Sequence, residues 1–77
     1  MQFKNYDTKL FKTKRLVCEV TLQELADICH MTRQTISNIE TGRSHNKATE
    51  TLIGLALDGL AEEQGLTELF SKLEHDI

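Results

Sequence analysis

No proline interrupts this chain, and along almost its whole length apolar residues recur three and four positions apart. Proline is the strongest helix breaker, and a three-to-four repeat gathers side chains on one face of a 3.6-residue turn. Strand-like alternation is absent, so the expected fold is all-α. At 77 residues there is room for one hydrophobic core and too little chain for most enzyme folds. The expectation is one domain over residues 1–77, a compact bundle of about five short helices.

Local signals place those helices. Residues 1–6 read as a flexible tail. Asp7 or Thr8 can cap a first helix reaching about Val17, with Leu10, Phe11 and Lys14 on neighbouring rows. Thr21-Leu-Gln-Glu24 is a capping box: the Thr21 hydroxyl can accept from the Glu24 amide, and the Glu24 carboxylate can reach back to the Thr21 amide. The second helix then runs through about Cys29, with Leu25, Ile28 and Cys29 inward. His30-Met31-Thr32 forms a tight turn, and Thr32 is the next N-cap. A third helix follows from Arg33 to about Thr41, stopped by Gly42. Arg43–Lys47 is a polar loop. A fourth helix, roughly Thr49 to Gln64, buries Leu52, Ile53, Ala56, Leu57 and Leu60, with Gly65 its stop and Gly59 an earlier alternative. Thr67 opens a short last helix.

The net charge of −3 argues at first against a nucleic-acid partner. Resolved along the chain, the argument weakens. Residues 1–47 carry eight basic and five acidic side chains, a net of +3, whereas residues 48–77 carry one and seven, a net of −6. No apolar run approaches the length of a signal peptide or a bilayer span, so a soluble, cytoplasmic chain with no membrane partner is expected. The two cysteines, Cys18 and Cys29, show no metal-ligand spacing. They read as two small buried residues of a reduced protein, with a disulfide the alternative. His30, His45 and His75 are scattered. No nucleophile–base pair or phosphate-cradling glycine loop is visible, so no enzyme, metal, cofactor or small-molecule substrate is expected.

The informative stretch is Thr21–Arg43, TLQELADICHMTRQTISNIETGR. Two short helices joined by a tight turn must cross steeply. Ala26 supplies the small residue needed where they approach, while Leu25, Cys29, Met31, Ile36 and Ile39 flank the turn and line the inner face. The third helix turns Arg33, Gln34, Ser37, Asn38 and Thr41 outward in one polar stripe without a carboxylate. An ordinary solvated face would mix Glu with Lys. A polar, uncharged-to-basic face suits the major groove, because Arg forks onto guanine, Gln or Asn pairs with adenine, and Thr meets a thymine methyl.

These residues carry a family resemblance. Thr21–Arg43 resembles the helix-turn-helix of phage Cro/repressor-type (XRE) regulators, with a looser likeness over residues 8–73, and Ile36-Ser-Asn-Ile-Glu-Thr-Gly-Arg43 is similar to the family's recognition-helix end. The resemblance implies a lambda-repressor-like bundle with helix-turn-helix at 21–42, binding double-stranded operator DNA, typically as a dimer. Thr32, Arg33, Gln34 and Asn38 then occupy base-reading positions, and Ser37, Thr41, Arg43 and Lys47 phosphate positions. Family members pair a first-helix arginine with the glutamate near the end of the recognition helix, and Arg15 and Glu40 stand at those places. Three departures exist. Leu22, with Gln23 beside it, replaces a frequent glutamine; His30 fills the usual glycine of the turn; and the loop after Gly42 lacks proline.

The last helix carries Leu66, Leu69, Phe70 and Leu73 on one stripe over 66–74, which either closes the core or forms an interface. Three functional readings follow. The first is an operator-binding regulator acting as a homodimer. The second is a modulator of repression, as some small phage proteins of this fold are, pairing with a cognate phage repressor and masking its reading face. The third, weaker, is an antitoxin.

Overall fold

The computed structural model describes residues 6–75, and the expected tail over 1–5 lies outside the described residues. A 3-10 turn at Thr8–Leu10 leads into α1 (Phe11–Val17), followed by α2 (Leu22–Cys29), α3 (Arg33–Glu40), α4 (Lys47–Gln64) and α5 (Thr67–His75). No strand occurs among the described residues. The elements start where their caps dictate. Asp7 accepts from the Lys9 amide, Thr21 from Glu24, Thr32 from Thr35, and Asn46 from Thr49. The Asn46 cap starts α4 earlier than expected, so Lys47 is its first residue rather than the end of a loop.

Four helices stop by one device. The amide six residues on closes onto the last turn: Val20 to the Arg15 carbonyl at 3.1 Å, Met31 to Ala26 at 2.9 Å, Arg43 to Asn38 at 2.8 Å and Leu66 to Ala61 at 2.7 Å. Each closure needs one left-handed residue. Gly42 and Gly65 supply it at α3 and α4, and Gly59 continues the helix instead. At α1 and α2 the place falls to Glu19 (φ 58°) and His30 (φ 56°), which tolerate it less well than glycine.

Phe11, Leu25, Ala26, Ile36, Ile39, Ile53, Leu57, Ala61 and Phe70 form the core, with Cys18 beside them. Three expectations are corrected here. Ile28, expected inward on α2, is 47% exposed, and Leu52, expected in the core, is 53% exposed. In each case the neighbouring elements cover the adjacent row: Leu25 on α2, Ile53 and Leu57 on α4. Phe70, a candidate interface residue, is buried in the core. Leu66 and Leu73 pack partly against that core, leaving Leu69 as the outward member of the stripe. Both cysteines are free, and burial pushes both thiols up, which keeps them protonated and unreactive.

Tyr6, placed in the tail by its sequence position, is packed instead. Its ring lies over Gly54 and tilts against Phe11 at 6.2 Å, and its hydroxyl donates to Asp58 at 2.9 Å. Below it Lys14 is buried, with Nζ donating to Glu74 of α5 at 3.0 Å and lying 5.3 Å from the Phe70 ring centroid. Burial first, and then the bond to Asp58, push the Tyr6 phenol up to about 12. The neutral phenol is therefore favoured in the folded state. The stability it contributes is complete below the ordinary value of 10.0 and is lost as pH rises from there through about 12. A Cβ at Gly54 would sit 2.5 Å from three Tyr6 ring carbons. Gly54→Ala is therefore expected to displace the ring and bring its ionisation back toward 10. The chain has one tyrosine, so ultraviolet titration reads this directly. An unchanged midpoint would mean that Tyr6 is not held there.

Candidate nucleic-acid interface

The pair α2 and α3 presents the polar stripe. At the start of α2 the Thr21 hydroxyl accepts from the Glu24 amide at 3.0 Å, and the Glu24 carboxylate accepts from the Thr21 amide at 3.0 Å. At the turn His30 takes the left-handed conformation, and Thr32 then caps α3, accepting from the Thr35 amide at 3.2 Å. Leu25, Ala26, Ile36 and Ile39 are buried where the two helices meet, and Cys29 and Met31 pack at the margin. The inner face is thus fully engaged, and the outer face of α3 is fixed in direction.

Thr32, Arg33 and Gln34 are exposed on that outer face, with Ser37 and Asn38 half-buried one turn on. Gln34 Nε2 donates to Asn38 Oδ1 at 2.9 Å, so the two amides form one unit. That bond leaves the Gln34 carbonyl and its second N–H, together with the Asn38 amide, for a ligand. Thr41, Arg43 and Lys47 are exposed beyond the helix end. Thr41 Oγ1 already donates its one proton to the Ser37 carbonyl at 2.8 Å, so its hydroxyl must rotate before it can donate to a phosphate. Eight residues make α3 about 12 Å long, the width of a B-DNA major groove.

Glu40, the one acid of α3, is turned away from this face. Arg15 Nε donates to Glu40 Oε2 at 2.9 Å and Nη2 to Oε1 at 3.4 Å, while Nη1 donates to the Val20 carbonyl at 3.0 Å. Both side chains are less than a tenth exposed. The forked pair ties α1 to α3 and removes a carboxylate from the reading side.

The flank on α2 has the opposite character. Leu22 packs partly against the core, and Gln23 beside it donates to Asp27 at 2.9 Å. Glu24 and Asp27 are exposed. No side-chain amide at this helix start is turned to a phosphate, which gives the Leu22 departure its physical content. A depression between α4 and α5, lined by Asp58, Glu62, Phe70 and Glu74, carries the wrong sign for a phosphate. Among the described residues no group of three or more His, Cys, Asp or Glu could hold a metal, and no helix is long and apolar enough to cross a membrane.

The sequence signals located α3 and its outward row. They did not reveal the Gln34–Asn38 bond or the occupied Thr41 hydroxyl, although the i, i+4 spacing of both pairs permits them. A family model described as helix-turn-helix matches residues 12–57, which span α1 to the middle of α4. No curated protein and no solved structure matches the chain. The matched segment holds the capped α2, the left-handed turn, the carboxylate-free face of α3 and the Arg15–Glu40 tie, and it is more than half of the chain. On that basis the chain belongs to the helix-turn-helix family of XRE-type DNA-binding regulators.

Proposed function

We propose that the protein is a sequence-specific regulator of the Cro/repressor type, acting on operator DNA in the cytoplasm as a pair of copies. The outer face of α3 carries this reading: four polar side chains without a carboxylate, on a helix of groove length whose one acid is bound inside. Arg33, Gln34 and Asn38, with Thr32 at the helix start, contact base edges. Ser37, Thr41, Arg43 and Lys47 contact phosphates and set the docking register. With no second domain described, its output follows concentration and pairing.

The test is selection of duplexes from a random pool, followed by titration of the enriched site at two salt concentrations. An enriched site bound tightly and more weakly at higher salt supports the reading, because neutralised phosphates release counterions. The double variant Arg43→Ala/Lys47→Ala is expected to weaken cognate and random duplexes alike. It should make the slope of log K against log salt shallower by about 2, near 0.9 per lost contact. A preferential loss on cognate DNA would move these residues to base reading.

One observation favours a second reading. Glu24 and Asp27 are exposed beside α3, and the whole chain carries −3. An acidic flank next to a polar helix suits the basic DNA-reading face of another repressor. A modulator of that kind enriches no duplex alone and dissolves a repressor–DNA complex on mixing. An antitoxin would instead bind both DNA and a toxin.

A further inference from the structure

The outer row of α4 is apolar where a solvated helix would be polar. Leu52 and Leu55 are 53% and 55% exposed, Ala48 and Gly59 lie on the same face, and half-buried Ala56 and Leu60 flank it. The opposite row, Ile53, Leu57 and Ala61, is buried in the core. This helix is apolar on two faces and only one of them is covered. We propose that the outer face of α4 is where two copies of the chain pair, their α4 helices antiparallel about a two-fold axis.

The row is complementary to itself in that arrangement. At Gly59 an added Cβ would meet nothing within 4 Å, so the face has an open notch there. Antiparallel helices centred between Leu55 and Ala56 place Leu52 of one copy over Gly59 of the other. They also set Leu55 against the small Ala56. A large side chain thus meets a small one at each step, twice over by symmetry. Charge selects the same direction. The amino end of the row follows Arg43 and begins at Lys47, and its carboxyl end carries exposed Glu62 and Glu63. Antiparallel packing sets the basic end of each helix beside the acidic end of the other, and it also opposes their dipoles. Parallel packing would stack Glu62 and Glu63 of the two copies. The α5 stripe is a poorer candidate, because Phe70 is in the core and Leu69 alone projects from it.

This inference names the surface behind the pairing proposed above, and it is measured without DNA so that the two stand or fall separately. Sedimentation of the full chain from about 1 µM to about 1 mM is expected to show the mass rising from 8.8 kDa toward twice that value. Leu55→Glu and Gly59→Leu should each raise the dissociation constant at least about 100-fold, and Glu63→Lys about tenfold. Leu69→Glu should leave association unchanged. These positions are exposed, so circular dichroism should show wild-type helix in all four variants. Methyl resonances of Leu52 and Leu55 should shift with concentration. A mass constant at 8.8 kDa would overturn the proposal. So would association abolished by Leu69→Glu but retained in Leu55→Glu, or association seen only when a repressor of the same fold is added. A chain that stays monomeric yet enriches a duplex would leave the operator reading standing without this interface.

Discussion

Replacing Glu40 with alanine is expected to destabilise the fold by about 3–5 kcal/mol, the usual consequence of stranding one member of a buried ion pair. Arg15 and Glu40 are both less than a tenth exposed, and their contact is forked. Removing the carboxylate leaves a guanidinium with little access to water. Arg15→Ala should cost at least as much, because Arg15 Nη1 also donates to the Val20 carbonyl at the α1–α2 junction. Small domains of this size hold about 5–15 kcal/mol in total, so either variant forfeits a large share. Denaturant unfolding measures the difference. The double variant Arg15→Met/Glu40→Leu should recover most of it, since apolar residues of similar volume incur no desolvation penalty. A loss under about 1 kcal/mol for Glu40→Ala would mean that the pair behaves like an exposed bridge.

The second large effect concerns reading. Gln34→Ala and Asn38→Ala together are expected to remove about 2–6 kcal/mol of discrimination between the cognate duplex and random DNA, at about 1–3 kcal/mol for each base contact. The two amides share a hydrogen bond at 2.9 Å. Each single variant therefore also releases its partner, and the double loss should fall short of the sum of the singles. Competition titration against cognate and random duplexes provides the four affinities needed. Equal losses on both duplexes would remove Gln34 and Asn38 from the base-reading set. Strict additivity would mean that the amides act independently.

The family match ends at residue 57, and the ends of the described chain add contacts beyond it. Tyr6 reaches back onto Gly54 and Asp58, and Glu74 reaches Lys14. Both contacts fall on α4, α5 and the start of the chain rather than on α3. They hold the frame from which α3 projects, and their removal should act on stability before it acts on reading.

Much of the helix-turn-helix was legible because its determinants are local. The Thr21–Glu24 box, the Thr32 cap, the Gly42 and Gly65 stops and the outward row of α3 each depend on residues within about one or two turns of each other. Such patterns survive in the sequence whatever the rest of the chain does. Burial assignments were less secure. On α4 the row of Ile53, Leu57 and Ala61 and the row of Leu52, Leu55 and Gly59 are both apolar at helical spacing. Periodicity shows that the helix has apolar faces; it cannot rank them. The neighbours cover the first row and leave Leu52 outside, and on α2 they leave Ile28 outside in the same way.

By itself the sequence determined the helices, their caps and stops, and the polarity of each face, because those follow from chemistry between near neighbours. Only the tertiary structure decided which apolar face is covered, that Tyr6 belongs to the packed domain, and that Lys14 is buried against Phe70 with Glu74 as its partner sixty positions away. These outcomes depend on which elements meet in space. For a cation on an apolar row, burial is tolerable only once a distant carboxylate and ring have been brought beside it.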